Sequence, residues 1–170
     1  MNGLNRQESH VRTPFGGVPL LLVVASWFWP VSLPGQVIDS VSEQSVKAAY
    51  LYRFASYVDW PEGVLDDPST PLTIAVLGAD SLADELEMMT ADRTVEGRRI
   101  AVRRVRTGEA LDGVHILFVA AAGADELVRL TPEARARSAL VVTETGDALE
   151  FGSVINFRAV NQRIRFEVSL

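Results

Sequence analysis

The chain has 170 residues, 48% hydrophobic, 22% charged and 8% aromatic, with no cysteine and a formal charge of -6. That length and balance fit one ordinary globular domain and exclude most disorder, and a net acidic chain is a poor partner for nucleic acid, whose phosphates call for lysine and arginine. Without cysteine there are no disulfides, no thiolate chemistry and no zinc site of the usual Cys or Cys/His kind.

Residues 1–17 are polar and carry Arg6 and Arg12; Val18 to Trp29 (VPLLLVVASWFW) is an apolar run of twelve, broken by Pro30 and Pro34. A membrane span needs about 20 apolar residues. The run therefore reads as the core of a secretory signal peptide over 1–36, with cleavage between Leu33 and Val37 and no stable membrane insertion afterwards. Residues 37–170 form the mature domain.

Ser40 and Glu43 have the spacing of a capping box, and a helix is expected from Val41 to Val58 with Val46, Ala49, Tyr50, Phe54 and Tyr57 on its apolar face and Leu51, Ala55 and Val58 widening the arc. It ends at Asp59-Trp60-Pro61, where proline disfavours helix. Leu72–Leu77 (LTIAVL) is an apolar run of the kind found in strands covered on both faces. Gly78-Ala79-Asp80-Ser81 follows, with Ser81 expected to cap a helix through Leu82, Leu86 and Met89. A turn at Thr94–Gly97, a strand at Ile100–Val105, a buried strand at Val114–Ala120, short helical pieces at Glu126–Leu130 and from Thr131, and a strand at Ala139–Thr143 come next. Alternation of this kind predicts a mostly parallel sheet between helices. Val154–Phe157 and Arg163–Leu170 break the rhythm and are expected to pair antiparallel at the C-terminal end of the sheet, around a turn at Asn161 and Gln162.

Chemistry is sparse. His115 lies inside a buried strand pattern and reads as a core or edge histidine. No carboxylate cluster has the spacing of a calcium loop and no serine sits in a G-x-S-x-G elbow, so no catalytic residue, metal or cofactor is expected. Gly78, Asp80 and Ser81 are the candidate ligand pocket, because open α/β sheets bind ligands beyond the carboxyl ends of their strands. Arg98, Arg99, Arg103, Arg104 and Arg106 form the densest positive run, read first as a solvated edge strand. Arg103 and Arg104, with Tyr52 and Trp60 off the main helix stripe, are the candidate contacts for a protein partner.

VKAAYLYRFASYVDWP (46–61), LTIAVLGAD (72–80), VEGRRIAVRRV (95–105), VHILFVA (114–120), LVVTET (140–145) and VINFRAVNQRIRFEVSL (154–170) resemble, in order and spacing, the YfiR-like family of exported bacterial regulators. The resemblance implies a periplasmic three-layer α/β/α sandwich that is not an enzyme. It also implies the partner, the periplasmic sensor domain of an inner-membrane diguanylate cyclase, whose repression lowers cyclic di-GMP signalling and biofilm formation. Two departures stand out. The chain has no cysteine for a redox-sensitive bridge, and it stops at Leu170, where family members continue into a short amphipathic helix. The stop implies a truncated reading frame, or a gap covered by a partner or by a second copy in a homodimer. The alternative reading is a periplasmic small-molecule binding protein serving a transporter or receptor.

Overall fold

A computed structural model describes residues 42–120 and 124–169. The signal-peptide reading lies outside the described residues. Ten elements follow in order: α1 (Glu43–Tyr57), β1 (Leu72–Leu77), α2 (Asp80–Thr90), β2 (Thr94–Val95), β3 (Arg98–Val105), β4 (Ile116–Val119), α3 (Ala124–Ala136), β5 (Leu140–Thr143), β6 (Ile155–Val160) and β7 (Arg163–Val168).

The seven strands form one sheet in the order β2-β3-β1-β4-β5-β6-β7. The central pairings β3·β1·β4·β5·β6 are parallel, and the short β2 and the final β7 are antiparallel to their neighbours. In that order the chain starts in the middle, moves to one side with β3, and returns to the other with β4. This is the doubly wound arrangement whose switch point lies between β1 and β4.

Alternation along the strands divides the core into two layers. Ile74, Val76, Ile116, Phe118, Val142, Ile155 and Phe157 face α1 and α2. Ala75, Leu77, Leu117, Val119 and Val141 face Leu127, Leu130 and Ala134 of α3. The expected three-layer α/β/α sandwich with a mostly parallel sheet and an antiparallel C-terminal pair is the fold observed.

Local chemistry sets the boundaries. Ser42, not the expected Ser40, caps α1, its hydroxyl accepting from the Ser45 amide at 3.0 Å. The buried face of α1 is Lys47, Ala48, Leu51, Phe54 and Ala55; Leu51, Phe54 and Ala55 belong to the expected arc, Lys47 and Ala48 do not, and Tyr57 is 72% exposed. α3 is one helix rather than two pieces. Pro132 lies inside it and cannot donate to the Val128 carbonyl, while the Thr131 hydroxyl bonds the Leu127 carbonyl at 2.6 Å. Asn161 and Gln162 have φ of 50° and 60°, the two positive values that a two-residue type I′ hairpin requires between β6 and β7.

An aromatic cluster joins α1 to the C-terminal strands. Phe157, 2% exposed, lies 6.1 Å from Phe54, 5.9 Å from Tyr50 and 6.2 Å from Phe118 between ring centroids. Phe157→Ala removes the ring shared by helix and sheet, and is expected to lower unfolding free energy by about 3–5 kcal/mol in urea denaturation.

Candidate functional site

The parallel strands end near a buried charge. Ala48, Leu51, Phe54 and Ala55 turn α1 onto the sheet, and that rotation carries Lys47 inward until the residue is 5% exposed. An unpaired ammonium in such a place costs several kcal/mol, so it needs partners. It has two: Glu43, one helical turn earlier, and Glu144, the first residue after β5. Burial works to lower the Lys47 pKa, but hydrogen bonds to Glu144 and Glu43, with their charges, outweigh it and hold the group above its ordinary 10.5. A lysine fixed as the ammonium is an electrostatic clamp between α1 and β5, not a base or a Schiff-base nucleophile.

Behind the clamp is a buried polar chain. The Thr143 hydroxyl donates to Asn156 Oδ1 at 2.8 Å and lies 2.9 Å from the Ser153 hydroxyl, which in turn donates to the Ile155 carbonyl at 2.8 Å. Asn156 Nδ2 and Thr145 Oγ1 are buried with no partner among the described residues. A shallow groove of about 280 Å³ runs over the clamp, lined by Glu43, Gln44, Lys47, Glu144, Phe157 and Ala159.

His115, 4% exposed, is the other buried titratable group among the described residues. Its Nδ1 accepts from the Thr73 amide at 3.0 Å, which puts the proton of the neutral ring on Nε2. Trp60 packs edge-on against the imidazole at 5.8 Å. Burial lowers the His115 pKa from 6.5, a hydrogen bond with the Val64 backbone opposes this, and the Arg98 charge adds to the lowering.

The residues singled out from sequence fall in separate places. Gly78 follows β1 with φ of 79°, and a Cβ there would meet the Ala120 carbonyl oxygen at 3.4 Å. Backbone contact thus brings the β1 and β4 exits together at the switch point. Ala79, not Ser81, is the N-cap residue of α2, and it makes no side-chain cap bond; Ser81 lies in the first turn. Asp80 is 3.9 Å from Arg104, which also pairs with Asp84 and Glu87 along α2.

Arg103 and Arg104 alternate across β3. Arg103 donates to the carbonyls of Asp112 at 3.1 Å and Ala110 at 2.8 Å, tying down the connection that leads to β4. Arg98 does the same for the connector after α1, through the carbonyls of Leu65, Asp67 and Thr70. Tyr52 and Trp60 lie toward the amino ends of the strands. Tyr52 donates to the Thr94 carbonyl at 3.4 Å beneath Arg93, and Trp60 lines a groove of about 350 Å³ with Asp59, Glu62, Asp66, Glu96 and Arg98. The sequence reading missed Lys47 and Glu144. The signal available was a lone lysine within an apolar helix face.

Among the described residues no group of three or more His, Cys, Asp or Glu could hold a metal ion, and no helix is long and apolar enough to cross a membrane. The family model described as YfiR/HmsC-like matches residues 44–170, from the start of α1 through β7, and the chain belongs to that family. No curated protein matches the chain.

Two outcomes test the buried charges. Lys47→Met leaves Glu43 and Glu144 facing each other and is expected to cost about 2–3 kcal/mol in urea denaturation, below the value for a fully enclosed pair because both carboxylates reach solvent. For His115 the folded pKa is depressed, so its contribution is complete above the unfolded value near 6.5 and is lost as pH falls through the folded one. The melting temperature is expected to drop between pH 7.5 and 5.5, and to drop less in His115→Asn, whose Oδ1 can accept from Thr73.

Proposed function

We propose that this YfiR/HmsC-like protein is a non-enzymatic periplasmic regulator that binds the sensor domain of an inner-membrane diguanylate cyclase and represses it. The observation that carries the reading is the family match, which spans the whole sandwich from α1 to β7. Membership makes the chain, in general terms, a periplasmic regulator of diguanylate cyclase activity. Direct binding and repression are the finer reading.

The chemistry of the interior supports it. Lys47 is held as an ammonium between two carboxylates, and His115 is held neutral with Nδ1 bonded to the backbone. Both stabilise the fold instead of standing free toward a substrate. Repression by a binding protein needs no such group. It needs higher affinity for the inactive sensor conformation than for the active one, and a signal that weakens the difference.

For the contact itself the outer face of α1 and the connector after it offer the aromatic side chains that protein interfaces favour. Tyr52 and Trp60 are half-buried there, and Tyr57, fully outside the core, stands between them in sequence. Arg104 reaches solvent through its acidic network on α2, whereas Arg103 is bound to backbone carbonyls.

The direct test is intracellular cyclic di-GMP in the source bacterium with the gene deleted and restored, with and without a diguanylate cyclase encoded beside it. The level is expected to rise several-fold on deletion, only when the cyclase is present, and to fall again on restoration. No change in any of these strains would overturn the repressor reading and favour a ligand-binding role.

A further inference from the structure

The connector between α1 and β1, residues 58–71, contains no helix or strand. A segment of that length has no ladder of its own and must be tied down from outside. Two side chains do this. Arg98 of β3 donates to the carbonyls of Leu65, Asp67 and Thr70. His115, just before β4, meets the Trp60 ring edge-on at 5.8 Å between centroids and shares a hydrogen bond with the Val64 backbone.

The sheet holds the same ring from the other side. Nδ1 accepts from the Thr73 amide at 3.0 Å. The His115 backbone is fixed as well, its amide donating to the Thr73 carbonyl at 3.0 Å and its carbonyl accepting from the Leu140 amide at 2.8 Å. A proton added to the neutral ring goes to Nδ1, where it sets a donor against the Thr73 N–H. The backbone of the central strands cannot give way, so the ring must turn, and it turns against Trp60 and Val64. The added charge also repels the Arg98 guanidinium, which is the second tie. Asp59, Glu62, Asp66 and Glu96 line the neighbouring groove with Trp60 and Arg98; of these charges it is Arg98 that bears on the ring. One proton thus strikes both ties.

We propose that His115 is an acid-operated latch: a proton on its ring releases the 58–71 connector from the sheet, frees Trp60, and so lets go of the protein partner that this connector contacts. The latch itself stands on the geometry around the ring, and its use in regulation rests on the proposed contact through Trp60. Burial keeps the closed ring neutral below the ordinary 6.5, so the latch is shut at neutral pH and opens as pH falls. An opened ring regains the ordinary value. While the closed ring stays neutral, linkage raises the open fraction by up to about tenfold between pH 7.5 and 5.5.

Hydrogen exchange with mass spectrometry on the full chain reads the opening directly, once rates are corrected for the intrinsic effect of pH. Peptides covering 58–73 are expected to lose protection by up to about tenfold from pH 7.5 to 5.5, while those of α3 stay protected at both. His115→Asn is expected to hold the connector equally at both pH values, because its Oδ1 accepts from Thr73 and does not titrate. Wild type supplies a test that needs no variant: the NMR signals of the His115 ring and the Trp60 indole are expected to titrate with one midpoint. Unchanged protection of the connector, exchange of the connector only together with α3, or separate midpoints would each overturn the latch. Cyclic di-GMP in cells then separates the latch from the regulator reading. Acid medium is expected to raise it several-fold in wild type and not in His115→Asn, while deletion of the gene raises it at both pH values. An equal acid response in His115→Asn would overturn the regulatory use of the latch and leave the regulator reading intact. No response to deletion would sink the regulator reading and with it the release of a partner, the exchange result then deciding the latch alone.

Discussion

A parallel strand must be buried on both faces, and the architecture follows from meeting that demand for β1 and β4. Their side chains are apolar in succession, so helices have to lie above and below. The chain does this by sending β1 into α2 on one face and β4 into α3 on the other. α1, which comes first in sequence, covers the rest of the α2 face and reaches across to β7. α3 packs over β1, β4 and β5. Beyond β5 on that side the strands turn polar, with Asn156 buried and Arg158, Arg165 and Glu167 in solvent. The helical cover on that face and the apolar pattern of the strands stop together, which is what a sequence consistent with its own fold should do.

The charged residues follow a second rule, that a buried or half-buried charge needs a fixed partner. Lys47 joins α1 to the end of β5 through Glu144. Arg98 gathers three carbonyls of a connector rich in proline and aspartate, and Arg103 gathers two from the connection between β3 and β4. Loops without secondary structure leave their carbonyls unpaired, and a planar guanidinium can satisfy several at once. The arginine run of β3 thus holds two loops in place, which explains its density better than an electrostatic patch does. Arg104 differs because it faces α2, where Asp80, Asp84 and Glu87 surround it at the surface, and such exposed pairs contribute little to stability.

How far the sequence could be read depended on whether the signal was local. Uninterrupted apolar runs such as LTIAVL and VHILFVA identified the central strands, and the polar pair Asn161-Gln162 between alternating segments identified the hairpin, because period and turn chemistry are local properties. The rotation of α1 was not legible. Val46 and Tyr57 fit an apolar stripe as well as Ala48 does, and the choice rests on Glu144, almost a hundred residues away, which makes the burial of Lys47 tolerable. The α2 cap was misread for a related reason. Ser81 is a good cap by type, but the tight approach of Gly78 to Ala120 starts the helix two residues earlier. Asn156 was legible only as part of a family pattern. Its buried position comes from the parallel pairing of β5 with β6, and only the folded chain shows its unpartnered amide.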